Sequence, residues 1–209
     1  MPDERRAAEV ALRGGQVSAH SPWELRRQLE RDGLAEVIVE LAAATGPVEE
    51  TTIANHAEVW RHTASPRVLV LDAEALWAIV QRRRGMAERL LAARAGDHRV
   101  VVPTVVLAQV MGGKGDSEIW TVLGKIPVVQ VDAHAMALSA NLNARVKRAG
   151  LDHRDMTIDA MVAAVAVQLA PSAVLTGRAS DMKLLTYGTD VTVASIYDEL
   201  SPSQGKELL

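Results

Sequence analysis

The stretch Arg67-Val68-Leu69-Val70-Leu71-Asp72 decides the fold class of this chain. Its four central residues are aliphatic, which is typical of a strand that is covered on both faces in a parallel sheet. The stretch ends in a carboxylate, and a carboxylate among apolar neighbours is unfavourable unless it is paired or holds a cation. Asp72 is therefore both the end of a predicted strand and the first candidate for a functional site.

The sequence after Asp72 alternates between helical segments and short aliphatic strands. The predicted strands cover residues 67–71, 99–102, 127–131, 173–176 and 191–194. The predicted helices cover residues 74–82, 86–95, 105–111, 133–148 and 157–169, with a short helix from Ser180. This alternation predicts an α/β, three-layer fold with a central parallel sheet flanked by helices.

The first part of the chain lacks this alternation and predicts a helical arm. Ser21, Pro22 and Glu24 predict a helix start, as the N-cap, the first helical residue and the capping-box partner. We therefore predict two parts, a helical arm with its linker over residues 1–66 and an α/β domain over residues 67–209.

Composition and charge restrict the classes of function. The chain has 209 residues and no cysteine, which excludes disulfides, cysteine-bound zinc and thiol catalysis. No signal region and no apolar run of membrane-spanning length is present, so we expect a soluble cytoplasmic protein without a membrane partner. Residues 1–66 carry 7 basic and 11 acidic residues, a net charge of -4, whereas residues 67–209 carry 16 and 15, a net charge of +1. The acidic arm is therefore expected to lie on the more basic part.

Asp159 is the second candidate for a functional site. It lies in the first turn of the predicted helix 157–169, and no other residue of that helix is charged. Ligands of parallel sheets bind beyond the carboxyl ends of the strands, where Asp72 ends its strand and where Asp159 can face the same edge. Two carboxylates with water suit Mg²⁺, which can activate a water for phosphodiester cleavage.

Both carboxylates, and two further candidates, also have ordinary structural explanations. Asp72 can be the N-cap of the following helix, and Asp159 can be a first-turn acid that interacts with the helix dipole. A cap and a metal ligand are compatible roles. Asp181 is balanced between a helix start and a ligand. Gln109, on an apolar helix, is either a hydrogen-bonded core amide or a site residue that orients a water.

Four segments, in order, resemble the PIN domain, in particular the VapC-type toxins of bacterial toxin–antitoxin pairs. They are Val70-Leu71-Asp72-Ala73-Glu74-Ala75-Leu76, Val102-Pro103-Thr104-Val105-Val106-Leu107-Ala108-Gln109-Val110, Asp159-Ala160-Met161-Val162-Ala163-Ala164 and Val174-Leu175-Thr176. The resemblance covers about residues 67–195. It implies a PIN-like fold and an endoribonuclease that depends on Mg²⁺ or Mn²⁺. It also implies that Asp72 and Asp159 bind the metal, that RNA is the substrate, and that the chain forms a homodimer, as its relatives commonly do.

Two positions depart from the family pattern. Gln109 stands where the second acidic residue is usually Glu, and its neutral amide oxygen holds a cation less strongly. Thr176-Gly177-Arg178 stands where the family usually has Thr-x-Asp, so a guanidinium replaces a carboxylate. Asp181 and the segment 152–155 are the candidates to replace that carboxylate. The departures keep an alternative open, a catalytically degenerate PIN-fold module that acts in interaction or regulation.

The arm has a shorter resemblance of its own. Residues 25–34 and 44–50 resemble the carboxyl-terminal portion of small antitoxins, which cover the site of such toxins. The resemblance implies a fused chain in which residues 1–66 supply antitoxin-like contacts in cis and neutralise the nuclease. Antitoxins of this kind often begin with a DNA-binding strand–helix–helix. No convincing strand precedes Trp23, which argues against DNA binding.

Overall fold

The computed structural model describes residues 21–61, 68–111, 116–150 and 156–197. Two helices come first, α1 (Pro22–Thr45) and α2 (Glu50–Arg61). The remaining elements are β1 (Val68–Leu71), α3 (Ala73–Val80), α4 (Met86–Ala95), β2 (Arg99–Pro103), α5 (Thr104–Val110), α6 (Asp116–Leu123), β3 (Val128–Val129), α7 (Ala133–Arg148), α8 (Thr157–Gln168), β4 (Ser172–Thr176), α9 (Ala179–Thr186) and β5 (Val191–Ser195).

The five strands form one parallel sheet in the order β3-β2-β1-β4-β5. The central strand β1 pairs with β2 and β4, and its Val70 lies opposite Val101 and Val174. Leu69, Val70 and Leu71 are fully buried because β1 has a strand on each side and helices over the sheet. The predicted α/β fold, with a central parallel sheet flanked by helices and preceded by a helical arm, is confirmed.

The capping box predicted at the start of α1 is confirmed. The backbone N–H of Glu24 donates to Ser21 Oγ at 3.3 Å, and the Ser21 N–H donates to Glu24 Oε2 at 2.7 Å. The two bonds satisfy N–H groups that have no partner within the helix. The helix ends at Gly46, whose positive φ of 97° leaves the helical region.

One face of α1 belongs to the same hydrophobic core as the sheet. Leu34, Val37, Ile38 and Leu41 are buried in the cluster that contains β1. Their spacing of three or four residues places them on one side of the helix. The arm therefore shares a core with the α/β part, and the predicted boundary at residue 66 falls in segment 62–67, outside the described residues.

Ion pairs hold α1 at the edge of the sheet where the strands begin, here called the amino edge. Glu30 accepts two hydrogen bonds from Arg99, from Nε at 2.7 Å and from Nη2 at 2.8 Å. Lys125 donates to Glu40, and Arg31 pairs with Asp97. Arg99 starts β2 and Lys125 precedes β3, so these contacts lie opposite the carboxyl edge where β1 ends.

Gly33 marks the closest approach of α1 to the chain before β3. A Cβ at this position would overlap the carbonyl oxygen of Lys125. Glycine inside a helix costs about 1 kcal/mol relative to alanine. Here the missing side chain allows backbone contact and brings Lys125 within reach of Glu36 and Glu40 on the next turns.

Two features of the structure did not follow from the sequence. Helix α6 was not predicted, although Ile119 and Val122 are buried at helical spacing; eight residues give too short a pattern to distinguish a helix from a loop. The second is the depth of the tryptophans, since Trp23 and Trp120 are 69% and 60% exposed. Trp77 does pack against the core.

The described helices include none that combines the length and the apolar character needed to cross a membrane.

Candidate active site at the carboxyl edge of the sheet

Asp72 lies directly beyond β1, beside the end of β4. Leu71 pairs with Leu175 in the parallel ladder, and the Asp72 N–H donates to the Leu175 carbonyl at 3.2 Å. This bond continues the pairing by one residue, so Asp72 stands next to Thr176, the last residue of β4. The carboxyl edge of the sheet therefore brings together two segments about a hundred residues apart in sequence.

The Asp72 carboxylate caps helix α3. Its Oδ1 accepts a hydrogen bond from the Ala75 N–H at 2.7 Å, which confirms the interpretation of Asp72 as an N-cap. The Thr176 hydroxyl donates a second hydrogen bond to the same carboxylate. The cap and the neighbouring strand end together hold the side chain in one orientation.

Burial raises the pKa of Asp72 to about 6, and the negative charges of Glu74 and Asp159 act in the same direction. The hydrogen bonds from Thr176 and Ala75 favour the ionised form but do not cancel the loss of water. Asp72 is therefore a buried carboxylate whose charge is only partly compensated. Asp159 is linked to this place through Arg178, which bonds both Asp159 and Thr176.

Asp159 is buried in the first turn of α8 and pairs with Arg178. Arg178 Nη1 donates to Asp159 Oδ2 at 2.6 Å, and Arg178 Nη2 lies 3.0 Å from Asp181 Oδ2. The guanidinium thus bridges two of the acidic residues predicted for the site. The Arg178 backbone N–H also donates to Thr176 Oγ1 at 2.9 Å, so Thr176 contacts both Asp72 and Arg178.

Glu74 and Tyr197 extend this site and were not predicted from the sequence. Glu74 crosses Gly177 so closely that any Cβ there would overlap the carboxylate. The Tyr197 hydroxyl donates to Glu74 Oε2 at 3.3 Å, and the Arg83 guanidinium lies 4.3 Å from the centre of the Tyr197 ring. The sequence offered only weak signals for these two residues. Glu74 is an acidic residue two positions after Asp72, and Tyr197 follows the last strand, and neither feature by itself predicts a site residue.

The remaining predicted residues are less closely involved. Gln109 is exposed on α5, so its interpretation as a buried core amide is wrong. Among the described residues, no hydrogen bond joins its side chain to Asp72 or Asp159. Segment 152–155 lies outside the described residues. Within the described part of the chain, no group of three or more His, Asp or Glu is arranged to hold a metal.

The site is therefore a set of converging carboxylates with one guanidinium among them. Asp159 and Asp181 both pair with Arg178, whose backbone N–H donates to Thr176 beside Asp72, and Glu74 lies against Gly177. Arg178 supplies the positive charge next to Asp159 and Asp181, whereas Asp72 keeps the raised pKa. Such an arrangement can bind a cation between Asp72 and Asp159 or can present Arg178 to an anion.

The sequence matches no protein-family model and no curated protein. Among solved structures, the chain is similar to one described as VapBC2 from Rickettsia felis bound to a DNA fragment from their promoter. The sequence identity is 12% and the TM-score is 0.49, and the alignment covers 61% of this chain and 98% of that chain. An identity and a TM-score of this size do not assign the chain to a family.

Proposed function

We propose that the chain is a metal-dependent ribonuclease of the PIN type that cleaves RNA at the carboxyl edge of its sheet. The observation that carries the proposal is the buried Asp72, whose pKa is raised to about 6 by burial and by the neighbouring charges of Glu74 and Asp159. A buried carboxylate that faces another carboxylate is stabilised by a bound cation. PIN-type toxins, which the sequence motifs resemble, use acidic residues at this place.

The donor set fits one hard divalent cation with a water-rich shell. Asp72 and Asp159 would hold Mg²⁺ or Mn²⁺, and the ion would activate a water and neutralise charge on the phosphodiester. Thr176 keeps the Asp72 carboxylate in place. Arg178 would exchange Asp159 for the phosphate of the substrate, because a guanidinium binds both groups through the same pair of N–H donors. Asp181 would hold Arg178 during this exchange, and the exposed Gln109 would orient a water.

Cleavage of a fluorescently labelled single-stranded RNA tests this proposal directly. We expect turnover with Mg²⁺ or Mn²⁺, none with a chelator, and none in the Asp72→Asn variant. Asp97→Asn is the matched control, because it makes the same change at an exposed carboxylate on the amino edge. Unchanged turnover in Asp72→Asn would remove Asp72 from the mechanism.

A second candidate function is a catalytically silent interaction or regulatory module. The specific observation in its favour is the Arg178 bridge, which already provides Asp159 and Asp181 with a positive charge. Calorimetric titration with Mn²⁺ separates the two functions. Binding that is lost in Asp72→Asn supports the nuclease, and no binding to the wild-type protein supports the module.

Neutralisation by the arm remains a prediction. The ion pairs of α1 lie at the amino edge, with Asp97, Arg99 and Lys125, so these contacts do not cover Asp72. Helix α1 also supplies part of the core through Leu34, Val37, Ile38 and Leu41, so removal of residues 1–64 is expected to expose apolar surface and lower solubility. Higher cleavage activity per folded molecule in a variant with a loosened arm would support neutralisation in cis.

A further inference from the structure

A cavity of about 610 Å³ lies between the arm and the α/β part of the chain. We call it the arginine cavity, because its walls include Arg83, Arg84 and Arg89, together with His56 of α2 and Tyr197. Its volume falls in the range of about 300–1,000 Å³ that is usual for small-molecule sites. A cavity of this size accommodates one nucleotide unit.

The charge of the arginine cavity favours an anion. Among the described residues of its lining, three are arginines and two are glutamates. His56 is neutral at pH 7, because burial and then the charge of Arg89 lower its pKa to about 4. Arg83 and Arg84 are exposed, and among the described residues no ion pair joins either of them to a carboxylate. Their guanidinium groups are available to a phosphate.

Tyr197 adds a ring on which a base can stack. About half of its surface is exposed (53%), and the Arg83 guanidinium lies over one face of the ring, 4.3 Å from its centre. Stacking on an aromatic ring, next to a positively charged groove, is the usual way in which proteins bind single-stranded nucleic acid. The cavity therefore combines the two kinds of contact that a nucleotide needs.

The arginine cavity adjoins the acidic site. Tyr197 lines the cavity, and its hydroxyl donates to Glu74 at 3.3 Å. Glu74 in turn crosses Gly177 and adds to the negative potential at Asp72. Glu74 thus links the lining of the arginine cavity to the residues around Asp72.

We infer that the arginine cavity binds one nucleotide of a single-stranded RNA, with its phosphate between Arg83 and Arg84 and its base against Tyr197. The choice of RNA as the nucleic acid rests on the proposed function. The inference adds the place on the protein where the strand is held. Arm residues form one wall of the cavity, so the arm contributes to substrate binding in this arrangement.

Fluorescence anisotropy with labelled single-stranded octaribonucleotides of U and of A tests the inference. The full chain is titrated in the presence of a chelator, so that binding is measured without metal and without cleavage. We expect Arg83→Ala/Arg84→Ala to bind about tenfold or more weakly, since two phosphate contacts are lost. Arg82→Ala/Arg94→Ala is the charge-matched control: Arg82 lines a different cavity, Arg94 lies at the far end of α4, and their loss should change binding much less.

A second pair of variants separates stacking from hydrogen bonding. Tyr197→Ala should bind at least about fivefold more weakly, because base stacking on an aromatic ring is lost. Tyr197→Phe keeps the ring and should bind like the wild type, although it loses the hydrogen bond to Glu74. Circular dichroism melting of every variant identifies any that is unfolded, and in that case Arg83→Gln/Arg84→Gln replaces the alanine variant.

The results distinguish this inference from the proposed function. If Asp72→Asn binds RNA normally and no protein cleaves it, the nuclease proposal fails while the cavity assignment stands. If the wild-type protein cleaves RNA but Arg83→Ala/Arg84→Ala binds RNA as tightly as the control Arg82→Ala/Arg94→Ala, the cavity assignment is overturned. Equal binding of a DNA duplex at the same residues also overturns the assignment to single-stranded RNA.

Discussion

Arg178 Nη1 lies 2.6 Å from Asp159 Oδ2, so a buried carboxylate of the candidate site is paired with a guanidinium of the same chain. The same guanidinium reaches Asp181 at 3.0 Å. In the proposed nuclease, this guanidinium would compete with the divalent cation for Asp159. Asp72 is outside this pair and keeps a raised pKa, so the two carboxylates of the candidate site have different partners.

Removal of the guanidinium should strengthen metal binding. In Arg178→Gln, the positive charge next to Asp159 disappears and the Asp159 carboxylate loses this partner. We therefore expect Mn²⁺ to bind at least about tenfold more tightly than to the wild-type protein. Isothermal titration calorimetry at pH 7 measures the change. Arg148→Gln, which removes an exposed charge at the end of α7, should leave the affinity as it is. Equal affinity in Arg178→Gln and the wild type would show that the pair does not compete with the metal.

Asp72→Asn should stabilise the protein at neutral pH. The folded-state pKa of Asp72, about 6, lies above its ordinary value of 3.8. The folded protein therefore holds this proton more tightly than the unfolded chain, and the resulting stability is complete below pH 4 and is lost as pH rises to 6. Two pKa units correspond to about 3 kcal/mol, so the variant should gain up to about 3 kcal/mol of unfolding free energy at pH 8 and almost none at pH 4.

Urea unfolding at several pH values between 4 and 8 measures this difference. Asp97→Asn serves as a control with the opposite sign, because the hydrogen bond from Arg31 lowers the pKa of Asp97. The ionised form of Asp97 adds stability above its ordinary pKa, so this variant should lose stability at pH 8 and not at low pH. A stability gain for Asp72→Asn that does not vary with pH would contradict the role of ionisation.

Truncation of a core residue of the arm should destabilise the whole protein. Leu41 is 2% exposed within the common core, and Leu41→Ala should cost about 2–5 kcal/mol of unfolding free energy. Leu25→Ala makes the same change in the same helix at a residue that is 39% exposed, and it should cost less than about 1 kcal/mol. Chemical denaturation, followed by far-UV circular dichroism, compares the two. If Leu41→Ala and Leu25→Ala lose equally small amounts of unfolding free energy, the arm is not part of the cooperative unit.

Gly33→Ala should reverse the usual effect of this substitution. Alanine normally stabilises a helix interior by about 1 kcal/mol relative to glycine. At Gly33 the added Cβ meets the Lys125 carbonyl oxygen, which is backbone and cannot turn aside. We expect a lower melting temperature, measured by calorimetry, and weaker pairing of Lys125 with Glu40. A rise in the melting temperature would mean that α1 does not approach the sheet as closely as the structure has it.

Local sequence patterns were sufficient for most elements and for the first carboxylate. The aliphatic run before Asp72 predicted β1, and the residues Ser21, Pro22 and Glu24 predicted the start of α1, because both features depend on neighbours in sequence. The N-cap role of Asp72 was one of two interpretations of the same local pattern, and the bond to Ala75 bears it out. Helix α6 and the exposed Trp23 and Trp120 were missed, since short helices and the depth of a side chain depend on what packs against them.

The sequence by itself thus determined the parallel α/β fold and the place of Asp72 at the carboxyl edge, because the residue that follows a parallel strand lies at that edge whatever the details. Only the tertiary structure decided which charge each carboxylate meets. Arg178 turned out to bridge Asp159 and Asp181, and Tyr197 to join Glu74 beside the arginine cavity. Electrostatic interactions depend on distances of a few ångströms between residues far apart in sequence, and no local pattern specifies those distances.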